Sequence, residues 1–313
     1  MDAMNQYKPE GLLYFTDRNK ELTATKDGLL FACNKGIILE GRVNLCDHNM
    51  TLHVALGDGI KGFIEKDEVL YSPTGDTVKD IAVLTRVGKT VAFKVKELFL
   101  SPGGTWCASL SRKEAQRDCY ENYVNTLRPG DIIQSRITHI ENFGAFLDIG
   151  CGIISLLSID SISVSRIAHP SQRLNVGDVI FTVIKSTDGG RIFTTERELL
   201  GSWEENASRF SEGQTVHGIV RSVESYGIFV ELMPNLAGLA EFRDDVRSGQ
   251  SAAVYIKSII PDKMKIKLII IDAHFAEREP APLEYFIDTE TVRHIDSWQY
   301  SPPSCKRIIE SVF

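Results

Sequence analysis

Nowhere in the 313 residues do the ~20 consecutive apolar residues of a membrane-spanning helix follow one another. The stretch from Met1 to Glu10 also lacks the apolar core of a secretion signal. Both absences point to a cytoplasmic protein without a membrane partner. The six cysteines (Cys33, Cys46, Cys107, Cys119, Cys151, Cys305) form no CxxC pair, so neither a disulfide framework nor a zinc site is expected and the thiols read as reduced. His48 and His53, the nearest histidine pair, have no third ligand in view. A glycine-rich phosphate loop is missing, and no cluster of carboxylates or paired histidines recurs, which argues against phosphodiester hydrolysis and against any enzyme, cofactor or catalytic metal. An excess of positive charge is missing as well: 35 Lys and Arg against 42 Asp and Glu leave a net charge of -7. That balance excludes an indiscriminate polyanion binder but not a local site.

What is present is a device written twice. Asn142-Phe143-Gly144-Ala145-Phe146 and Ser225-Tyr226-Gly227-Ile228-Phe229 lie 83 positions apart, each with two aromatics three residues apart around a glycine. Strand residues at i and i+3 face opposite ways unless the backbone bulges, and glycine permits a bulge, so both rings are expected on one face. Two exposed rings on a bent strand form a platform for flat groups, above all unpaired nucleobases.

The match extends outward at a constant offset. Pro129-Gly130-Asp131 precedes Phe143 as Glu212-Gly213-Gln214 precedes Tyr226, while Tyr120 corresponds to Trp203 and Leu127 to Phe210. Tyr120 and Trp203 fall in helix-compatible stretches, 113–126 and 197–209, where they are expected to pin each helix to a barrel. Downstream, Asn175-Val176-Gly177-Asp178 and Arg247-Ser248-Gly249-Gln250 each introduce an apolar strand, a turn and another strand. In the first of these units the Gly, Asp and Ser signals delimit five strands, 132–140, 145–149, 152–157, 179–185 and 191–195. Five strands in about 70 residues suit a small closed barrel of the oligonucleotide-binding (OB) type.

A third copy precedes these two. Gly36 to Gly41 repeats the spacing of Gly130 to Ser135, and Arg86-Val87-Gly88-Lys89 repeats the later turn, but the aromatic pair falls on Asn49 and Leu52. The chain is thus expected to be mainly β. It reads as an N-terminal extension (1–29), a first barrel without an aromatic platform (30–112), a linker helix (113–127), a second barrel (128–198), a linker helix (199–210), a third barrel (211–272) and a C-terminal extension (273–313). Basic and acidic residues nearly balance in each barrel, 10 against 9, 7 against 8 and 7 against 8, whereas the extension from 273 has 4 against 7. Stacking with few phosphate contacts predicts modest affinity and a shallow salt dependence. In the extension, Trp298 and Tyr300 precede an amphipathic segment from Cys305 to Val312 that is expected to pack on the third barrel.

These residues resemble the S1 RNA-binding domain, named after the large mRNA-binding protein of the bacterial small ribosomal subunit. The second barrel follows its pattern in Pro129-Gly130-Asp131, Phe143-Gly144-Ala145-Phe146, Gly152-Ile153-Ile154-Ser155, His169-Pro170, Val176-Gly177-Asp178 and Asp188 to Arg191-Ile192. The resemblance implies RNA contacts at both aromatics, at a histidine of the third strand and at a late Asp and Arg. Carried across, the second barrel supplies Phe143, Phe146, Asp188 and Arg191, with Ser155 at the histidine position. The third supplies Tyr226, Phe229, Asp262 and Lys265, with Glu241 at that position, and is expected to bind more weakly because Glu241 repels phosphate and lysine lacks the flat arginine fork. The first barrel resembles the leading domains of the ribosomal protein, which implies attachment to the small ribosomal subunit. The terminal segments resemble those of shorter S1-type proteins of clostridial bacteria.

Phe143, Phe146, Tyr226 and Phe229 also have a plainer reading as barrel core, which accounts for one ring of each pair but not for both, since Ile140, Leu147 and Ile149 already supply inward residues. The leading expectation is a non-enzymatic protein of translation that holds single-stranded mRNA on a row of barrels. The alternative is an interaction scaffold, or a regulator of RNA decay or translation, whose barrels dock on ribosomal or nuclease partners.

Overall fold

A computed structural model describes residues 6–72, 75, 77–188, 190–276 and 283–313. It contains three closed five-stranded barrels. The first is built from β1 (Leu39–Cys46), β2 (Leu52–Ala55), β3 (Lys61–Ile64), β4 (Thr90–Leu100) and β5 (Trp106–Ser111) in the order β1-β2-β3-β5-β4. The second uses β6 (Ile132–Glu141), β7 (Gly144–Asp148), β8 (Ile154–Ser158), β9 (Val179–Asp188) and β10 (Arg191–Thr195), closed as β10-β8-β7-β6-β9. The third uses β11 (Thr215–Glu224), β12 (Gly227–Met233), β13 (Leu236–Ala240), β14 (Ser251–Ile260) and β15 (Lys265–His274), closed as β11-β12-β13-β15-β14. The expected OB-type fold is present in all three copies. One parallel pairing recurs in each, β3 with β5, β8 with β10 and β13 with β15, and it closes the sheet.

The chain divides into two compact units, and the division runs through the second barrel. Residues 1–127 with 134–136 and 147–154 form one unit, and the remaining residues form the other. In the first unit, α1 (Asp17–Ala24) and α2 (Lys26–Lys35) precede the barrel, and α3 (Asp80–Leu84) leads into β4. Thr16 and Thr25 cap the first two helices by accepting from the Asn19 and Gly28 amides. Leu29 of α2 joins Leu39, Leu52, Ile64, Phe93 and Leu110 in the core, so this helix is part of the barrel's packing. It runs through residue 30, where the sequence pattern places the start of the first barrel.

The segment before α1 is held by buried charge. Arg112, at the start of α4 (Arg112–Asn122), grips Glu10 through Nε at 2.7 Å and Nη2 at 3.0 Å. Glu10 in turn donates its amide to Asp148, and Glu40 accepts from the amides of Gly11, Leu13 and Tyr14. Burial pushes the Glu40 carboxyl up to about 8 and that of Asp148 up to about 7. Tyr120 on α4 packs against Tyr71 with ring centroids 5.9 Å apart.

In the second unit, α5 (Ile159–Ile162) follows β8, and α6 (Trp203–Ala207) opens with a capping box between Ser202 and Glu205. Trp203 is buried in the third-barrel core beside Val220, Val230 and Ile256. Within this unit the C-terminal segment touches parts of two barrels. Its residues 293–295 pair with 130–132 at the start of β6, where the Ile132 amide donates to the Arg293 carbonyl and the Ile295 amide to that of Gly130. Farther on, β16 (Ser297–Gln299) pairs with β17 (Glu310–Val312), while Trp298, Tyr300 and Ile309 pack on the third-barrel core as expected. Tyr300 donates its hydroxyl to the Asn235 carbonyl. The segment from Cys305 to Val312 ends in this short strand.

Candidate nucleic-acid interface

The two aromatic pairs are built by turns rather than by bulged strands. Asn142 and Phe143 form the turn between β6 and β7, and Ser225 and Tyr226 form the turn between β11 and β12. The first ring of each pair therefore lies outside the strand and escapes its alternation. In the third barrel the register shift falls instead between Val220 and Ser222 of β11. Glycine is required for a different reason: a Cβ at Gly144 would lie 2.3 Å from the Leu157 carbonyl, and one at Gly227 2.6 Å from the Ala240 carbonyl. Neighbouring strands approach too closely there for any side chain.

Phe143 is 54% exposed and Tyr226 68% exposed. Phe146 and Phe229 are half-buried between fully buried neighbours on β7 and β12. The ring centroids of Phe143 and Phe146 are 6.1 Å apart at 90°, and those of Tyr226 and Phe229 are 6.2 Å apart at 84°. Edge-to-face packing holds each pair while leaving ring faces open. His139 of β6 lies nearly parallel to Phe146, with centroids 6.3 Å apart at 21°, and its Nε2 is 2.7 Å from Glu141.

The remaining expected positions divide. Asp188 and Arg191 are cross-strand partners at the tip of the β9–β10 hairpin, both exposed. Ser155 points inward: it is 2% exposed and its Oγ has no hydrogen-bond partner. Along β8 the half-buried Leu156 takes the outward place, one residue on. The constant offset places Gly238, not Glu241, opposite Ser155, and Glu241 lies exposed beyond the end of β13. Lys265 pairs with Ile260, whereas Asp262 sits in the intervening turn, so the Asp188–Arg191 arrangement is not repeated.

Two further residues of the third barrel lie near its ring pair. Phe229 pairs with Leu239, and Leu239 pairs with Lys267, so the exposed Lys267 shares a row with the second ring. Continued by two residues, the β12–β13 register sets Phe242, 48% exposed, opposite Tyr226.

The first barrel lacks the pair but is not bare. Its β2–β3 register matches His53 with Phe63 as β12–β13 matches Phe229 with Leu239, so His53 holds the second-ring position. Phe63 packs edge-on against Phe99 of β4, with centroids 5.9 Å apart at 71°. Asp47 holds His53 Nε2 at 3.0 Å, and that hydrogen bond, with those from the Thr51 and Asn49 amides, lowers the Asp47 carboxyl. Among the described residues no three His, Cys, Asp or Glu side chains converge as metal ligands, and no helix is long and apolar enough to cross a membrane.

Comparison with known proteins agrees with this geometry. The S1 RNA binding domain family matches residues 126–191, which span most of the second barrel. The small ribosomal subunit protein bS1 homolog of Bacillus cereus (strain ATCC 10987 / NRS 248) is 28% identical over 233 residues, covering 70% of this chain and 56% of that protein. Small ribosomal subunit protein bS1 of Staphylococcus aureus (strain COL) is 24% identical over 251 residues, covering 74% and 62%. The chain thus spans little more than half the length of these relatives. A multidomain protein with nucleic acid binding domains from Streptococcus pneumoniae is 16% identical over 78% of this chain and 76% of its own, with a TM-score of 0.24, too low to carry an argument. With three OB-type barrels and a match to the S1 RNA binding domain at its centre, the chain is similar to the bS1 proteins of the small ribosomal subunit.

Proposed function

We propose that the chain binds single-stranded RNA in translation, without catalysis, by stacking bases on the ring pairs of the second and third barrels. The observation that carries this reading is the recurrence of an exposed turn ring packed edge-on against a half-buried strand ring, at nearly the same distance and angle in both copies. Buried core aromatics would not be held at a turn tip facing water. In this reading Asp188 and Arg191, exposed at the tip of the β9–β10 hairpin, add charge to the second barrel, and Lys265 and Lys267 supply cations in the third.

Fluorescence anisotropy with a short single-stranded RNA tests the proposal. Replacing Phe143 and Phe146 by alanine is expected to cost about 1–3 kcal/mol for each base no longer stacked. The corresponding change at Tyr226 and Phe229 is expected to cost less, because arginine adds a planar stacking partner that lysine cannot. Unchanged affinity in both folded variants would sink the reading.

The names of the bS1 relatives support association with the small ribosomal subunit as the partner, and the first barrel is proposed as the part that docks. Gradient sedimentation tests it: the protein travelling with small subunits supports the proposal, and its staying at the top of the gradient refutes it. Retention of partners after ribonuclease treatment would favour the scaffold reading instead.

A further inference from the structure

The second unit contains an arginine-lined cleft that no aromatic platform accounts for. Its volume is about 410 Å³, and it is bordered by Arg166, Arg197, Arg307 and Ser165, with Asp160 as the single carboxylate on its wall. Arg197 is fixed in place, since its Nε lies 3.1 Å from Glu198 and its Nη2 donates to Ser311 of the C-terminal segment. Arg166 and Arg307 are exposed and make no ion pair among the described residues. In a protein with a net charge of -7, two unneutralised guanidiniums converging on one concavity with a third form a local anion site.

The position of the cleft indicates which anion. Ile159 lines it, and the Ile159 amide donates to the Phe143 carbonyl at 2.9 Å, so the cleft opens beside the strand end that carries the exposed ring. Resting on the RNA reading above, we infer that this cleft holds the phosphate backbone of a strand whose bases stack on Phe143 and Phe146. Planar guanidiniums suit phosphate oxygens, and the volume accommodates a nucleotide-sized portion of chain. Arg307 belongs to the C-terminal segment rather than to a barrel strand, so the segment that packs on the third barrel also completes a site for the second.

Anisotropy titrations with an oligouridylate of about twelve nucleotides, at several salt concentrations, test the inference. Arg166→Ala and Arg307→Ala are each expected to weaken binding roughly three- to tenfold and to reduce the salt slope by roughly 0.7, the increment for one single-strand phosphate contact. Both side chains are exposed, so an unchanged thermal melt is the control for folding. If these variants keep wild-type affinity and slope while Phe143→Ala with Phe146→Ala weakens binding, the cleft assignment fails and the RNA reading stands. Such an outcome is also what a cleft for an acidic protein segment would give. If none of the variants changes binding, the RNA reading itself fails. Uridine monophosphate that binds in an arginine-dependent manner, with no arginine effect on the oligomer, marks a free-nucleotide site and overturns the backbone assignment.

Discussion

At the scale of single residues, two positions carry tension that can be measured. Gly144 leaves no room for a methyl group against the Leu157 carbonyl. Gly144→Ala is expected to destabilise the protein by roughly 1–3 kcal/mol, as overpacking does, and to reduce RNA affinity by shifting the turn that presents Phe143. Chemical denaturation and anisotropy on one preparation measure both effects. The second position is Glu196, fully buried, with Oε2 unpartnered and Oε1 accepting from the Tyr285 hydroxyl at 3.2 Å. Burial pushes its carboxyl up to about 8 from the ordinary 4.5. Below 4.5 both the folded and unfolded chains hold the proton. Between 4.5 and 8 the unfolded chain releases it while the folded chain does not, so stability is lost as pH rises through that window. Glu40, at about 8, acts in the same direction, as does Asp148, at about 7. Glu196→Gln is expected to be more stable than the wild type at pH 8 by roughly 1–3 kcal/mol, with the advantage vanishing toward pH 4.5. Thermal melts across that range check the sign.

At the scale of elements, a buried triad fastens the loop after α5 to the third barrel within the second unit. Arg173 reaches Glu231 at 2.5 Å, and Arg221 grips the same carboxylate with two contacts of 2.9 Å. Glu231→Ala would leave two guanidiniums buried without their counter-ion, and a loss of roughly 3–5 kcal/mol is expected in urea denaturation. Such pairings also mark the limit of what a sequence shows. The β6–β10 strands could be read from glycine and aspartate punctuation and from alternating apolar residues, because those signals are local. Arg112 and Glu10 are 102 residues apart, and nothing near either one announces the other. The same holds for Phe63 and Phe99, which meet across strands separated by α3. Ser155 faces inward for a different reason: one residue along a strand exchanges its two faces, so the outward position falls on Leu156. The ring pairs were legible because they recur at a constant offset, while their turn geometry was not, since glycine suits a turn and a bulge equally.

At the scale of the whole molecule, charge governs how the chain meets a polyanion. The barrels are nearly neutral and the net charge is -7, so few phosphates can be engaged at once. The logarithm of the binding constant is expected to fall against the logarithm of salt with a slope of roughly -2 to -3, the value for three or four single-strand phosphate contacts. A much steeper slope in titrations between low and physiological salt would require a basic track that the surface does not offer. Weak individual contacts favour occupancy by avidity, because a strand held on one barrel is presented to the next at raised effective concentration.

Because Phe143 and Tyr226 sit at turn tips, outside the alternation that packs the barrels, each is an interchangeable head on a fixed socket. The socket demands glycine and a close neighbouring strand, but it makes no demand on the head itself. Ligand preference can therefore drift from copy to copy without passing through an unfolded intermediate. The first barrel carries neither head nor glycine in this register: with His53 at the second-ring position, Thr51 stands where the other copies have glycine, and the barrel closes without the device.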